Sequence, residues 1–467
     1  MKDRMSMKSM NLINPADGSL LGEQVIDGPA EVTARVAAAR AAQPAWAAQP
    51  LQARLEIIKR FRQGVHAELN DLARTLTLET GKPLPHSRNE LNGFLGRIDF
   101  FTAEAQAAAA GAQVWDADGM REQIERIPLG VVGNISAWNY PWFVGGNVFV
   151  PALLMGNSVV YKPSELATLT GRAMARLLHA SGVPVEVFAP VYGDGATGQA
   201  LLDQDLDGVF FTGSLQTGRR IARAVGPRMI KMQLELGGKD PTYVCPDADP
   251  VLAAQSLADG AMYNAGQSCC SVERIYVHEA IYDRFIEAVV QTVRGFKMGD
   301  PMQEDTYLGP LTRAPQIEVL QAQVADAKGR GARLLTGGGR AVGPFGGRGN
   351  WFEATVMDQA DHSMLLMREE SFGPIVGIAR VGSDERAVEL MNDTRYGLTA
   401  GVYTPDEARA RRILSKVRAG SVYWNCCDRV SPRLPWSGWG DSGLGLTLSV
   451  EGISTFTRPK AWHLRSA

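Results

Sequence analysis

The chain has 467 residues, 45% of them hydrophobic and 21% charged, which is too long for one simple core and suits a globular protein of two or three domains. A formal net charge of −2 leaves no basic footprint for nucleic acid. The longest apolar run, Val148 to Tyr161, is interrupted by Pro151, Gly156 and Asn157, so no membrane span is expected.

Met1 to Met10 carries Lys2, Arg4 and Lys8 but no apolar stretch. It reads as a frayed extension with Met5, Met7 or Met10 as alternative starts, not as a signal peptide. Residues 11–28 alternate and turn at Pro15-Ala16-Asp17-Gly18, a small hairpin. From Pro29 to about Phe101 the pattern is helical, with breaks at Gln49-Pro50 and Thr80-Gly81-Lys82-Pro83. A long Ala-rich helix ends near Gly111, and residues 112–127 form a polar hairpin standing off the main body.

Alternation then begins. Strands are predicted over 130–136, 158–162, 187–191, 207–211 and 229–235, separated by helices over 147–154, 170–180, 198–202 and up to Val225. Strands alternating with helices predict a parallel, doubly wound sheet. A second α/β series follows. It has helices over 250–264, 281–296, 316–328, 385–392 and 405–417, strands over 275–277, 355–357, 375–380 and 401–403, and a Gly-rich hairpin over 337–349. The tail, Ser449 to Trp462, alternates again and predicts a strand pairing outside its own domain.

Five cysteines occur as Cys245, the neighbours Cys269-Cys270 and the neighbours Cys426-Cys427. Adjacent cysteines match neither zinc nor disulfide spacing, which points to a reducing compartment and a cytoplasmic protein. Taken alone, Cys269 would more often be a small buried apolar residue than a nucleophile. Yet it follows a Gly266-Gln267-Ser268 turn just past a predicted helix, where loop N–H groups are free to stabilise a thiolate or an oxyanion. Glu235 ends a buried strand before Gly237-Gly238. It suits either a turn cap or a base with a raised pKa. Asn139, shortly after a strand, can donate an amide N–H to a developing oxyanion or bond its own loop.

Lys162-Pro163-Ser164-Glu165 ends another strand, where ligands gather in open α/β sheets. Its Lys and Glu can hold ribose hydroxyls. Phe211-Thr212-Gly213-Ser214 with Gly218 makes a strand, a turn and a helix N-terminus suited to phosphate. Glu369-Glu370-Ser371-Phe372-Gly373-Pro374 reads locally as a loop with solvated acids. The six histidines show no metal-ligand spacing, and no metal is expected.

Together these motifs resemble the aldehyde dehydrogenase superfamily. The order is Trp138-Asn139-Tyr140-Pro141, Lys162 to Glu165, Phe211 to Ser214, Glu235 to Lys239, Gly266 to Cys269 and Glu370 to Pro374, with Asn425 beyond. The resemblance implies a Rossmann-like cofactor domain over residues 1–111 and 129–236, and an α/β catalytic domain over 237–448. A protruding β oligomerisation element would combine 112–128 with 449–467, giving a homodimer or homotetramer. It implies oxidation of a small-molecule aldehyde to its acid. Cys269 would be the nucleophile, Asn139 the oxyanion donor and Glu235 the base that hydrolyses a thioester.

The cofactor would be NAD, with NADP possible. The resemblance assigns Lys162 and Glu165 to the adenosine ribose, and Gly213 and Ser214 to the diphosphate region, with Ser164 and Gly195 also binding the cofactor. Glu370 falls to the nicotinamide ribose and Phe372 beside the nicotinamide. Ser136, Trp138, Phe211, Thr212, Leu236 and Gly237 line the same cleft. Glu165 favours NAD, because a carboxylate there repels a 2′-phosphate. The substrate funnel would be lined by Tyr140, Trp142, Phe143, Asn147, Ser268, Cys270, Cys426, Val430 and Trp436. With no arginine among them, an apolar, aromatic or amino-aldehyde is expected. Arg429 and Arg433 near the mouth keep a semialdehyde open. A CoA-acylating relative is the remaining alternative, disfavoured because Glu235 is present.

Overall fold

The structure, a computed structural model, describes residues 8–465. The first seven residues of the expected N-terminal extension lie outside that range, and Met10 sits within the first strand. Strands β1 (Ser9–Ile13) and β2 (Leu20–Val25) pair antiparallel across the expected turn. Four helices follow, α1 (Pro29–Ala47), α2 (Leu51–Ala67), α3 (Leu69–Thr80) and α4 (Leu84–Ala109). Both predicted breaks hold, and a third falls at Glu68, which no Gly or Pro announces. Gly81 ends α3 at φ 78°, and a Cβ there would lie 2.6 Å from Pro310 Cγ, so glycine is required for both conformation and space.

Strands β3 (Ala112–Ala117) and β4 (Met120–Pro128) form the expected polar hairpin. The first α/β series is β5 (Val131–Ile135), α5 (Pro141–Leu154), β6 (Ser158–Lys162), α6 (Thr168–Ala180), β7 (Phe188–Pro190), α7 (Gly195–Leu202), β8 (Gly208–Thr212), α8 (Leu215–Val225) and β9 (Lys231–Glu235). Strands β5, β6 and β8 are buried from end to end or nearly so, as a sheet covered by helices on both faces demands. Helix α5 starts at Pro141 rather than Asn147, because proline suits a first helical turn.

The second series is β10 (Asp240–Val244), α9 (Pro250–Met262), β11 (Val272–His278), α10 (Tyr282–Arg294), α11 (Pro315–Gly329), β12 (Arg333–Thr336), β13 (Thr355–Asp358), α12 (Leu365–Arg368), β14 (Ile375–Val381), α13 (Asp384–Asn392), β15 (Thr399–Tyr403), α14 (Glu407–Leu414) and β16 (Ser421–Trp424). The chain ends through β17 (Gly443–Leu444), α15 (Ser449–Ser454) and β18 (Thr457–Arg465).

A six-stranded sheet runs β17-β9-β8-β5-β6-β7, and a seven-stranded sheet runs β12-β13-β14-β11-β10-β15-β16. Each is parallel except for one antiparallel edge strand, β17 in the first and β12 in the second. The third sheet, β18-β4-β3, joins the tail to the polar hairpin, so the tail strand pairs outside its neighbours as expected.

Two expectations are corrected. Ser449 to Ser454 is a helix that buries Gly452 and Ile453, and Ser454 Oγ donates to the Ala108 carbonyl at the end of α4; only residues from Thr457 form a strand. The Gly-rich stretch over 337–349 makes no ladder. It returns on one antiparallel bridge, Arg340 to Phe352, because its glycines at positive φ turn the chain too often. Strand β10 was hidden by its opening Asp240-Pro241, which reads as a breaker. Pro241 sits near the strand start, where the missing N–H costs least.

Candidate active site

Three strand or helix ends meet at one cavity of about 660 Å³. Glu235 is the last residue of β9 and is 8% exposed. Its Oε1 accepts from Gln233 Nε2 at 2.8 Å and from Thr447 Oγ1, and its Oε2 from Thr212 Oγ1 at 3.5 Å. Burial raises its pKa, opposed by the Thr447 bond and by the Arg97 guanidinium. Beyond it the chain turns at Gly237-Gly238. A Cβ on Gly238 would lie 2.9 Å from the Cys269 carbonyl oxygen, so the glycine allows the base-bearing segment to pass against the cysteine loop.

Cys269 is half-buried and faces the cavity. The chain reaches it through Asn264, Ala265 and Gly266, all at positive φ (53°, 54° and 67°). Left-handed non-glycine residues cost free energy and persist where the surroundings enforce them. Here Thr312 N–H donates to Gln267 Oε1 at 2.9 Å and Gln267 Nε2 donates to the Asn264 carbonyl at 3.2 Å. Asn139 lies between β5 and α5 and is buried; its Nδ2 donates to the Gln267 carbonyl at 3.2 Å. An amide carries two N–H groups, so a second remains for a ligand. Cys269, Glu235 and Asn139, far apart in sequence, thus line one cavity.

The residues read as cofactor-binding gather at the carboxyl ends of β5, β6, β8 and β9. Ser136 N–H donates to the Lys162 carbonyl at 3.0 Å, locking β5 to β6. Lys162 is buried at the end of β6, and burial lowers its pKa. Its Nζ lies 3.6 Å from Glu165 Oε2, and Glu165 is exposed. Ser164 Oγ accepts the Leu166 N–H at 3.2 Å, which shapes that turn. Gly195 opens α7 with empty space where a Cβ would stand. Phe211 and Thr212 end β8, Gly213 N–H donates to the Glu235 carbonyl at 3.0 Å, and Ser214 Oγ caps α8. Leu236 is buried, and its N–H donates to the Ser442 carbonyl at 3.0 Å.

On the opposite lip, Glu370 Oε1 accepts the Gly238 N–H at 3.2 Å, and any side chain on Gly237 would collide with that carboxylate. Burial and the nearby Glu273 charge push Glu370 up to about 8. Phe372 meets Trp138 edge-on, with ring centroids 5.5 Å apart. The loop carrying Glu370 and Phe372 is far from solvated. Glu273 accepts the Ser371 and Phe372 N–H groups at 2.9 and 3.0 Å, and buried Lys239 bridges Glu273 and Ser371 Oγ. An ammonium beside a carboxylate at one end, helix N-termini between and an aromatic pair at the other fit a nicotinamide dinucleotide. Among the described residues no cluster could hold a metal.

Tyr140, Phe143, Ser268, Cys270 and Trp436 line the cavity as expected, with Asn147 and Val430. Trp142 does not. It is wholly buried in the core against Phe94, because its N–H is held by Glu90 in the first turn of α5 and the ring points inward. Cys427 and not Cys426 reaches the cavity. The expected absence of arginine is also corrected. Arg97 lies in the wall, 3.7 Å over the Phe143 ring and 2.9 Å from Asn147 Oδ1. Burial lowers its pKa to about 10.

Helix α4 supplies more than sequence reading found. Asn89, Glu90, Gly93, Gly96 and Arg97 all line the cavity. Their spacing of three and four places them on one helix face, the signal that was available. Lys82 pairs with Glu90 out of solvent and stands 3.7 Å over the Tyr140 ring. Asp428 accepts from the Cys270 thiol at 2.9 Å, and burial pushes Asp428 up to about 6. Cys269 beside it, burial and the Asp428 charge raise the Cys270 thiol well above its ordinary value. Cys270 thus acts as a thiol donor to Asp428.

The aldehyde dehydrogenase family profile matches residues 2–462. The chain is 36% identical to 3,6-anhydro-alpha-L-galactose dehydrogenase of Streptomyces coelicolor (strain ATCC BAA-471 / A3(2) / M145) over 461 residues, 98% of this chain and 94% of that protein. A solved 3,6-anhydro-L-galactose dehydrogenase in complex with NADP superposes with TM-score 0.95 at 32% identity, covering 99% of this chain and 98% of that one. PnpE in complex with nicotinamide adenine dinucleotide superposes with TM-score 0.96 at 32% identity, covering 99% and 95%. The chain belongs to the aldehyde dehydrogenase family. It is an NAD(P)-dependent oxidoreductase that oxidises small-molecule aldehydes.

Proposed function

We propose that the enzyme oxidises a polar, hydroxylated aldehyde to the free acid. The observation that carries this reading is the placement of Arg97 and Asp428 in the same cavity as Cys269. Beyond its bond to Asn147 the Arg97 guanidinium keeps further N–H donors, and beyond the Cys270 thiol Asp428 keeps a second oxygen; an apolar substrate would leave that capacity unmet, which costs free energy, whereas hydroxyl groups satisfy it. The similarity to an anhydro-sugar dehydrogenase supports the same class. The aromatic face of Tyr140 and Phe143, stacked with centroids 5.9 Å apart, keeps an amino-aldehyde as the second reading.

In this reading the Cys269 thiolate adds to the carbonyl carbon, and the Asn139 amide with the Cys269 N–H holds the oxyanion. Bound NAD(P)+ supplies the hydride acceptor that turns the adduct into a thioester. Glu235 takes a proton from water, which hydrolyses the thioester and returns the thiolate. Lys162 and Glu165 hold the adenosine ribose, Gly195, Gly213 and Ser214 the diphosphate, and Glu370 and Phe372 the nicotinamide end. Glu165 disfavours a 2′-phosphate, so NAD is the preferred cofactor.

The cofactor domain comprises 1–111 and 129–236, the catalytic domain 237–448. The sheet of β3, β4 and β18, with Trp115 and Trp462 exposed, supports self-association to a dimer or tetramer. Free Cys245, Cys269, Cys270, Cys426 and Cys427 support a cytoplasmic location. Among the described residues no helix is long and apolar enough to cross a membrane.

The test is kcat/KM for hydroxylated aldehydes against hexanal, benzaldehyde, an amino-aldehyde and succinate semialdehyde, with NAD and with NADP. The product is assayed as free acid or, with CoA present, as acyl-CoA. Hydroxylated aldehydes should lead by about tenfold or more. Equal rates across the panel would overturn the substrate class, and acyl-CoA as the main product would overturn hydrolysis.

A further inference from the structure

The Glu235 main chain is held on both sides. Its carbonyl accepts the Gly213 N–H at 3.0 Å, and Gly443 of β17 pairs with it across the antiparallel edge. What remains free is rotation of the side chain, and two buried donors converge on a single oxygen. Gln233 is 2% exposed and Thr447 wholly buried. With Gln233 Nε2 and the Thr447 hydroxyl both on Oε1, that oxygen's lone pairs are filled. Oε2 has one bond at 3.5 Å, the outer limit for a hydroxyl donor.

The arrangement is costly in a way that points to the acid. Gln233 spends its NH₂ on Glu235 while its own Oε1 is buried with no hydrogen-bond partner. Burying an acceptor unpaired is unfavourable, and flipping the amide would set its oxygen against an ionised carboxylate. The side chain is oriented for the glutamate. Thr447 is fixed in turn: its N–H donates to the Trp436 carbonyl at 3.0 Å and its carbonyl accepts from Trp436 N–H at 2.8 Å. Trp436 lines the cavity, so one backbone bridge carries a wall of the substrate site on one side and the clamp on the base on the other.

We propose that Thr447 and Gln233 are positioning residues that hold Glu235 by Oε1 and leave Oε2 to receive the proton of the hydrolytic water. This rests on the reading of Glu235 as the base. Both donors favour the ionised carboxylate. Losing one raises the carboxyl pKa, so hydrolysis fails at a higher pH as the medium is acidified. The other titratable and charged groups on the cavity wall are His86, Glu90 and Arg97 of α4, Tyr140, Asp259 and Tyr263, Cys269 and Cys270 before β11, and Cys427, Asp428, Arg429 and Arg433. They are unchanged in the variants below.

The experiment uses the full-length enzyme with NAD. It separates formation of the acyl-enzyme, read as the burst of reduced cofactor, from its decay, read by rapid quench across pH. Thr447→Val should keep the burst, slow decay by about tenfold, and move the acid limb of decay up by about one pH unit. Thr447→Ser should restore both. Gln233→Leu, a second variant should Thr447→Val not fold, should shift the limb in the same direction. An unmoved acid limb in the folded variants, or a Thr447→Ser protein as slow as Thr447→Val, would overturn the clamp. Glu235→Gln tells the two levels apart. If it blocks decay while the clamp variants leave the limb in place, only the clamp falls. If it decays as the parent does, the base reading falls and the clamp with it.

Discussion

The floor and the wall of the cavity are built on different principles. The floor, with Cys269, Glu235 and Asn139, stands on strand and helix ends whose turns are set by glycines and by left-handed backbone at Asn264 and Ala265. Its chemistry is written in short local stretches. The wall is a face of α4 with the 427–436 segment, and its polar groups are side chains held by other side chains. Arg97 bonds Asn147 and covers Phe143, Lys82 pairs with Glu90, and Asp428 takes the Cys270 thiol. On the proposed reading the floor carries the reaction and the wall selects the substrate, so damage to each should leave a different kinetic trace.

The largest effect is expected on the floor. Cys269→Ala should abolish dehydrogenase turnover, by about a thousandfold or more, while cofactor binding by fluorescence quenching stays within about twofold. Residual turnover close to the parent would break the division at its centre. Glu235→Gln should spare the first burst of reduced cofactor and lower steady-state turnover by about a hundredfold. Because burial holds the Glu235 carboxyl above the usual carboxylate range, the parent enzyme should lose hydrolysis as pH falls through that raised value, not at the ordinary one.

A wall variant should behave otherwise. Arg97→Met should raise KM for hydroxylated aldehydes by about tenfold and change kcat less, with little loss for an unsubstituted aldehyde. A fall in kcat alone for all aldehydes would show that Arg97 serves the floor through its field on Glu235. The smallest change is expected at the exposed Glu165. Glu165→Ser should improve kcat/KM for NADP relative to NAD by about fivefold, since charge repulsion at an exposed site is screened. An unchanged ratio would remove Glu165 from cofactor choice.

The same division explains what was legible in the sequence. Glu235 before a double glycine, Cys269 after a glycine turn and Lys162 at a strand end are local events placed by strand alternation and turn residues, while their roles came from the resemblance of the motifs taken in order, since Cys269 alone read as more often inert. Arg97 and Asp428 were not legible as a pair, because a helix face becomes a cavity wall only once its partner is known. Trp142 failed for the same reason. Position in the motif placed it near the funnel, but one backbone bond to Glu90 fixes the helix start and turns its ring to the core. Strand β10 was lost because Asp240-Pro241 looks like punctuation, although both residues are buried at the head of a strand.

The two-residue strand β17 has a consequence for how the protein comes into being. Gly443 pairs with Glu235, Ser442 receives the Leu236 N–H, and Thr447 binds the carboxylate. All three follow Glu235 and Cys269 in the chain by more than 170 residues. On the proposed reading, a nascent chain on the ribosome carries both the nucleophile and the base before the base has its surroundings.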